Sequence, residues 1–364
     1  MVPVVDLSRI GSSRAAAFAN AVATVCASGR FILGEQTESF EREFGAWLQR
    51  RPGADATRDA PCVASVASGA SALQLALAAI GVGAGDEVIV PAFTAVPTAA
   101  AVCALGAVPV PVDVEAGTAN LDPALVAAAT TSRTRAVIVV HLYGQPATLP
   151  ATSLPIIEDA AQAHGAINDH HRSVATAYSF YPTKNLGGIG DGGAVVTGDP
   201  SIDATVRRLR THGMTEQYVH TAISQNFRMS EVEASWLRLA LTDLDAANER
   251  RRHIARRARE AAPGLSWQQA TNDHVYHLCV LRSTQRDAMR AALAESGVAT
   301  AIHYPLAITE QPAYRRFTVE RCPESEAWAR ECVSVPCFPE MTNVEIDQVG
   351  AALASVAERI GPCR

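Results

Sequence analysis

Between Cys62 and Asp113 the chain alternates short, nearly continuous apolar runs with a segment of helical period. CVASVA (62–67), EVIVPA (87–92) and AVPVPVD (107–113) read as strands, and ASALQLALAAIG (70–81) reads as a helix. Two further runs, AVIVVH (136–141) and PIIED (155–159), each end in a polar residue. ATAYSFYP (175–182) and GGAVVTGD (192–199) predict strands on either side of a glycine-rich turn. Strands apolar on both faces and separated by helices imply an α/β fold with a mostly parallel central sheet covered on both sides. Ligands of such sheets gather at the carboxyl ends of strands, which is where His141 and Asp159 fall.

The pattern changes after about Arg228. Residues 229–262 have helical period, with Val232, Trp236, Leu239 and Leu244 on an apolar side and an arginine-dense end. One long helix there would link a large domain, residues 1–245, to a smaller C-terminal α/β domain, residues 246–364. The smaller one is predicted to hold a strand HVYHLCVLR (274–282), a helix near 284–296 and a closing helix near 343–359. RRPGADATRDAP (50–61) reads as a polar loop, and the chain carries no internal repeat.

Charge narrows the function. Across 364 residues, 37 acidic side chains face 31 basic ones, a net charge of −6, so the basic footprint of a nucleic-acid or anionic-membrane binder is missing. A 48% hydrophobic content excludes a disordered chain. Val88–Val112 is free of charge and long enough to resemble a membrane span. Yet Pro91, Pro97, Pro109, Pro111 and Gly106 interrupt it, which fits strand, short helix and strand. The eight cysteines form no CxxC pair and no zinc spacing, so no metal site is expected and reduced thiols in a cytoplasmic protein are. The amino terminus has no apolar signal region.

Of the 31 basic residues, one is lysine, Lys184. The arginine bias with heavy alanine use reflects a GC-rich genome, so a lone lysine by itself is equally well an exposed survivor. Its surroundings favour chemistry. A lysine amine condenses with aldehydes, and an acid at a strand end, Asp159, can hold a pyridinium nitrogen protonated so that the ring withdraws electrons. Ser179 lies five residues before the lysine. The turn SGAS (68–71) opens a helix straight after a strand and leaves N–H groups for an anion. Each part has a plain structural reading: an N-cap, a structural Asp, a surface lysine. Together, in this order, they describe a pyridoxal phosphate site. The GxGxxG at Gly188, Gly190 and Gly193 precedes a strand and opens no helix, which argues against a nicotinamide oxidoreductase. Thr183, not Gly, precedes the lysine, which excludes a Walker A loop.

The segments GRFILGEQTESFEREF (29–44), SGASALQLAL (68–77), GDEVIVPAFT (85–94), IIEDAAQAHGA (156–166), SFYPTKNLGGIGDGGAVVT (179–197) and NFRMSEVEASWL (226–237) resemble the DegT/DnrJ/EryC1/StrS family. These are pyridoxal phosphate-dependent sugar aminotransferases of the type I aspartate aminotransferase fold. The resemblance implies that Lys184 condenses with the cofactor and then acts as the base of a 1,3-proton shift. It implies that Asp159 pairs with the ring nitrogen and Gln162 meets the ring hydroxyl side. Ser179, Gly69 and the backbone after it would hold the phosphate. Asn226 matches an asparagine that reaches the phosphate from a neighbouring subunit, and Arg228 would take the donor carboxylate, unless it only makes a salt bridge at a helix start. Arg30 and Phe31, with His303 and Tyr304 of HYPLAITEQPAY, fall in segments expected on the acceptor side. Two departures stand out. Ala70 replaces a usual threonine, which transfers its contact to Ser71 or the backbone. Ala95 replaces the usual ring-stacking aromatic, for which Phe93 is the candidate substitute.

The expected activity is therefore a homodimeric transaminase. It would move an amino group from L-glutamate to a keto group of a nucleotide-linked deoxysugar, through pyridoxamine phosphate, in antibiotic sugar biosynthesis. A keto-cyclitol acceptor and a cofactor-binding regulator without turnover are the alternatives.

Overall fold

The computed structural model describes residues 1–51, 57, 59–166, 172–318 and 320–360; much of the polar loop read over 50–61, and Cys363, lie outside them. Two helices come first, α1 (Leu7–Ser28) and α2 (Glu35–Gln49). Then β1 (Cys62–Val66) runs through Ser68 into α3 (Gly69–Ala79), followed by β2 (Glu87–Pro91), α4 (Pro97–Ala104) and β3 (Val108–Val112). After the single turn α5 (Val126–Ala129) come β4 (Thr134–Val140), β5 (Ile156–Asp159), β6 (Ala175–Ser179) and β7 (Gly193–Thr197). These strands form a seven-stranded sheet in the order β1-β7-β6-β5-β4-β2-β3. All run parallel except β7, which is antiparallel to both β1 and β6.

The charge-free run resolves as its prolines require. Pro97 occupies the first turn of α4, where no N–H is needed. Pro109 and Pro111 alternate in β3, the edge strand, with Val108 N–H turned inward to the carbonyl of Asp86. Among the described residues no helix is long and apolar enough to cross a membrane. The seven described cysteines are all free.

Beyond the sheet lie α6 (Pro200–Leu209), a hairpin of β8 (Met214–Glu216) and β9 (Val219–His220), α7 (Glu231–Leu241) and α8 (Leu244–Ala261). A three-stranded antiparallel sheet follows, made of β10 (Ser266–Trp267), β11 (Cys279–Arg282) and β12 (Cys332–Val335). It packs with α9 (Arg286–Glu295), α10 (Pro323–Glu331) and α11 (Asn343–Ile360). A second apolar core of Ile254, Leu281, Met289, Leu353 and neighbours joins α8, β11, α9 and α11, and Val2 enters it by bridging to Val298, while Trp328 and Ala329 of α10 pack into the main core.

Three sequence expectations change. The long helix over 229–262 is two helices, broken at Thr242–Asp243. Its buried face carries Ala234, Trp236, Leu237 and Leu241, while Val232 and Leu239 are only half-buried. Of the strand read over 274–282, only β11 pairs in a sheet; residues 274–278 form a strap, held by Val275 N–H on the Gly144 carbonyl (3.0 Å) and Leu278 N–H on the Tyr143 carbonyl (3.2 Å). α1 and α2 drew no helix reading, and in α1 only Val25 is fully buried, so its pattern is faint.

One buried ion pair ties α2, β1 and α6 together. Glu41 accepts from Arg210 Nη1 (2.7 Å), Arg207 Nη1 (2.7 Å), and the N–H and hydroxyl of Ser65 (2.8 and 2.7 Å). Burial by itself would raise this carboxyl, but Arg210, Arg207 and the two Ser65 donors together outweigh it and hold it below its ordinary value. Glu41→Ala would leave Arg210 buried without a counter-charge. We expect it to lose about 3–5 kcal/mol in urea unfolding, and Arg207→Ala, at the more exposed partner, to lose clearly less.

Candidate active site

Segments that follow the carboxyl ends of the parallel strands gather around Lys184. The lysine follows β6 in a tight turn, its N–H donating to the Tyr181 carbonyl (2.8 Å). The glycine-rich segment after it folds back so closely that a β-carbon at Gly188 would stand 1.6 Å from Glu233 Oε1. Lys184 borders two cavities, of about 330 and 270 Å3. Burial of the amine pushes its pKa down to about 8, and the Asp159 carboxylate works in the opposite sense.

Asp159 ends β5 and is buried. Its Oδ2 accepts the Thr98 hydroxyl (2.9 Å) and its Oδ1 accepts the Ala161 N–H (3.1 Å). Burial raises this carboxyl above its ordinary value, against the pull of Ala161 N–H, Thr98 and Lys184. Thr98 comes from α4, with its hydroxyl 3.2 Å from that of Thr94. Gln162, three residues beyond Asp159, accepts the Tyr143 N–H (2.6 Å) and donates to the Tyr304 hydroxyl (3.0 Å). His303 and Tyr304 both border the larger Lys184 cavity, and His303 Nδ1 meets Ser334 Oγ at 2.9 Å.

The start of α3 supplies an anion cradle. Ser68 caps the helix and shares a capping box with Ser71, whose hydroxyl accepts the Ser68 N–H (2.8 Å) and whose N–H meets Ser68 Oγ (3.1 Å). The first-turn amides of Gly69 and Ala70 are left for a ligand. A β-carbon at Gly69 would stand 2.6 Å from Ser179 Cβ, so only glycine lets the helix start touch the end of β6. Free amides, a serine hydroxyl, a desolvated lysine and a buried carboxylate are the groups that pyridoxal phosphate requires, and the residues fit it.

Other expectations shift. The Ser71 hydroxyl is taken by the capping box, so the backbone must replace the missing threonine at Ala70. Phe93 has no accessible surface; its ring packs on Trp328 (centroids 6.1 Å apart) and Tyr304 (6.5 Å), so it is a core residue and offers no face to a cofactor ring. His141 is buried as well, accepting the Ala147 N–H at Nδ1 (2.9 Å) and facing Glu158 Oε2 from Nε2 (2.9 Å), which makes it structural. Sequence reasoning missed Thr98, Tyr143, Arg251 and His277. Arg251 and His277 line the larger Lys184 cavity from α8 and the strap, with no local motif to mark them.

Arg30, Phe31, Asn226 and Arg228 form a separate group. Ile32 bridges to Ser230, and Glu231 N–H donates to the Phe31 carbonyl (2.9 Å). Glu231 also caps α2 from outside, accepting the N–H groups of Gly34 (2.7 Å), Gln36 (2.8 Å) and Thr37 (3.0 Å). Arg228 Nε donates to Asn226 Oδ1 (3.0 Å). None of the four lines either Lys184 cavity within one chain.

Residues 13–354 match the DegT/DnrJ/EryC1/StrS aminotransferase family. The chain belongs to that family. It is 41% identical to the erythromycin biosynthesis sensory transduction protein EryC1 of Saccharopolyspora erythraea, over 98% of this chain and all of that one. It is 40% identical to the dTDP-3-amino-3,4,6-trideoxy-alpha-D-glucose transaminase of Streptomyces venezuelae, over 99% of this chain and 97% of that one. In structure it resembles S. venezuelae DesV, solved in complex with a ketimine intermediate: the TM-score is 0.90 at 39% identity, covering 99% of both chains. It also resembles Bacillus subtilis NtdA, solved with bound cofactor PMP, with a TM-score of 0.88 at 26% identity over 98% of this chain and 85% of that one. The α/β fold expected from the strand pattern is the fold of this aminotransferase family.

The depressed amine predicts a direct titration. In cofactor-free protein, reductive labelling of Lys184 by a small aldehyde should rise with a midpoint near pH 8, instead of about 10.4 for an ordinary lysine. The Asp159 carboxylate favours the charged amine, so Asp159→Asn should move that midpoint lower still, as read by peptide mass spectrometry across a pH series.

Proposed function

We propose that this protein is a pyridoxal phosphate-dependent transaminase that delivers the amino group of L-glutamate to a 3-keto group of a dTDP-linked deoxysugar. The observation that carries the reading is the half-buried Lys184, its amine desolvated and under the influence of the buried Asp159 carboxylate, beside the free amides of Gly69 and Ala70. Relatives support the acceptor class: besides the S. venezuelae enzyme, the chain is 38% identical to the dTDP-3-amino-3,6-dideoxy-alpha-D-galactopyranose transaminase of Aneurinibacillus thermoaerophilus, over 97% of this chain and 99% of that one. On this reading residues 1–245 make the cofactor-binding domain, residues 246–364 the smaller one, and the enzyme works in the cytoplasm.

Bound pyridoxal phosphate would supply an aldehyde that accepts the amino group and a ring that withdraws electrons. The chain's own groups do the rest. The Gly69 and Ala70 amides and the Ser179 hydroxyl bind the phosphate. Asp159, oriented by Thr98 and Ala161, keeps the ring nitrogen protonated. Gln162 holds the ring-hydroxyl side. Lys184 Nζ, with its pKa brought down to about 8, takes the proton from the donor α-carbon and returns one to the acceptor carbon. Glutamate leaves as its 2-oxo acid, and the sugar carbonyl oxygen ends as water. His303 and Tyr304 stand on the acceptor side of the cavity.

Tyr218, Val219 and Ile223 are exposed, and Asn226 and Arg228, shortly after them in sequence, line neither Lys184 cavity within one chain. A homodimer would bring them, with Arg30 and Phe31, over the partner's lysine; there Asn226 would reach the phosphate and Arg228 the donor carboxylate.

Two measurements test the reading. L-Glutamate should shift the visible band of the purified holoprotein, and a dTDP-linked 3-keto deoxysugar should reverse the shift while 4-keto sugars and keto-cyclitols do not. Silence toward glutamate would instead favour a regulator without turnover. Mixing equal amounts of Lys184→Ala and Asn226→Ala subunits should restore about a quarter of wild-type activity, since half the dimers are hybrids with one intact site. No recovery despite proven exchange would place each site within a single chain.

A further inference from the structure

A cavity of about 590 Å3 lies on the outer side of α8, and none of its lining residues borders either Lys184 cavity. Arg252, Arg256 and Arg259 stand at i, i+4 and i+7 of α8, so one helix face turns three guanidinium groups into it. Glu260 is the one carboxylate among the lining residues. Arg252 pairs with Glu249 and donates from Nε to the His274 carbonyl (3.1 Å). Arg259 donates to the Gln268 carbonyl (2.9 Å) and lies 5.7 Å from the Trp267 ring centroid. Among the described residues neither Arg256 nor Arg259 makes an ion pair, so their charge is available to an anion.

The aromatic part of the lining is fixed. The Trp267 indole N–H donates to the Ala262 carbonyl (2.9 Å). Tyr276 is half-buried and stacks on His274 with centroids 3.9 Å apart and planes 10° off parallel. His274 is held in turn: its Nδ1 accepts the Tyr276 N–H (2.9 Å), its Nε2 meets Gln268 Oε1 (3.2 Å), and burial keeps the ring uncharged. Guanidinium groups and anchored aromatic rings lining one cavity match a ligand that is anionic at one end and flat at the other. The volume is that of a small-molecule site.

We propose that this cavity is a second ligand site, for a nucleoside diphosphate, with the diphosphate on Arg252, Arg256 and Arg259 and the base against Trp267 and Tyr276. The strap of residues 274–278 is shared by both sites. His274 and Tyr276 line the outer cavity, while His277 and Leu278 line that of Lys184. Consecutive arginines clamp the strap, Arg252 on the His274 carbonyl and Arg251 Nη1 on those of Tyr276 (3.4 Å) and His277 (3.5 Å).

The test is calorimetric titration of the holoprotein with ADP, inorganic pyrophosphate and adenosine. ADP should bind saturably and more tightly than either fragment. In Arg256→Glu/Arg259→Glu, ADP affinity should fall about tenfold or more while the cofactor's visible band persists. ADP should also quench indole fluorescence in the wild type and do so much less in Trp267→Phe, a readout that does not depend on the arginine variant folding. Unchanged affinity in the double variant, no saturable ADP binding, or pyrophosphate binding as tightly as ADP would each overturn the assignment.

Discussion

The amine of Lys184 and the carboxylate of Asp159 share a desolvated space, and much of the fold exists to make that tolerable. A charged group taken out of water costs several kcal/mol unless partners replace its hydration. Asp159 receives two such partners, the Thr98 hydroxyl from α4 and the Ala161 N–H from the loop after β5, at the same sheet end. The lysine receives less, and its pKa falls to about 8. That difference is useful: the acid stays oriented and the amine becomes available as a base near neutrality.

The anion cradle obeys a similar economy of hydrogen bonds. A helix start has four unpaired N–H groups. In α3 the Ser68–Ser71 capping box satisfies part of this need, which stabilises the helix while leaving Gly69 and Ala70 free. The exchange explains how alanine can stand at residue 70: the position is filled by backbone function, and the neighbouring hydroxyl belongs to the cap. Close contact between Gly69 and Ser179 then sets the end of β6 against the helix start. Phe93, freed from any ring-stacking duty, serves the core with Trp328.

The C-terminal elements meet this centre through backbone. The strap before β11 lacks a sheet partner, so its carbonyls and N–H groups need others. Arg251 and Arg252 take the carbonyls, and Gly144 and Tyr143 accept the N–H groups. Tyr143 is itself in the left-handed region, at φ 63°, with its hydroxyl on the His303 carbonyl. The strap thus joins α8 to the loop after β4, and Tyr143 carries the link on to His303.

Much of this was legible along the chain. The strands of the large sheet, the helix start at Ser68, and the order Asp159, Ser179, Lys184 follow from local period and from which residue types can do covalent chemistry. Burial on both faces also marks a strand without giving its direction, so β7 reads like its neighbours and only the sheet reveals it antiparallel. Faint or mixed patterns failed in the same way: α1 buries one residue fully, and the break at Thr242–Asp243 carries neither glycine nor proline. The remaining decisions were long-range. Gln162 meets Tyr304 across 142 residues, and Glu231 caps a helix nearly 200 residues before it. Such contacts are between single polar groups whose own neighbours in sequence do not mark them. The sequence determines the reacting groups and the strand ends that carry them, because both are local properties. Which carboxylate, hydroxyl or carbonyl completes each group was decided by tertiary structure alone, because a hydrogen bond depends on distance and direction in space.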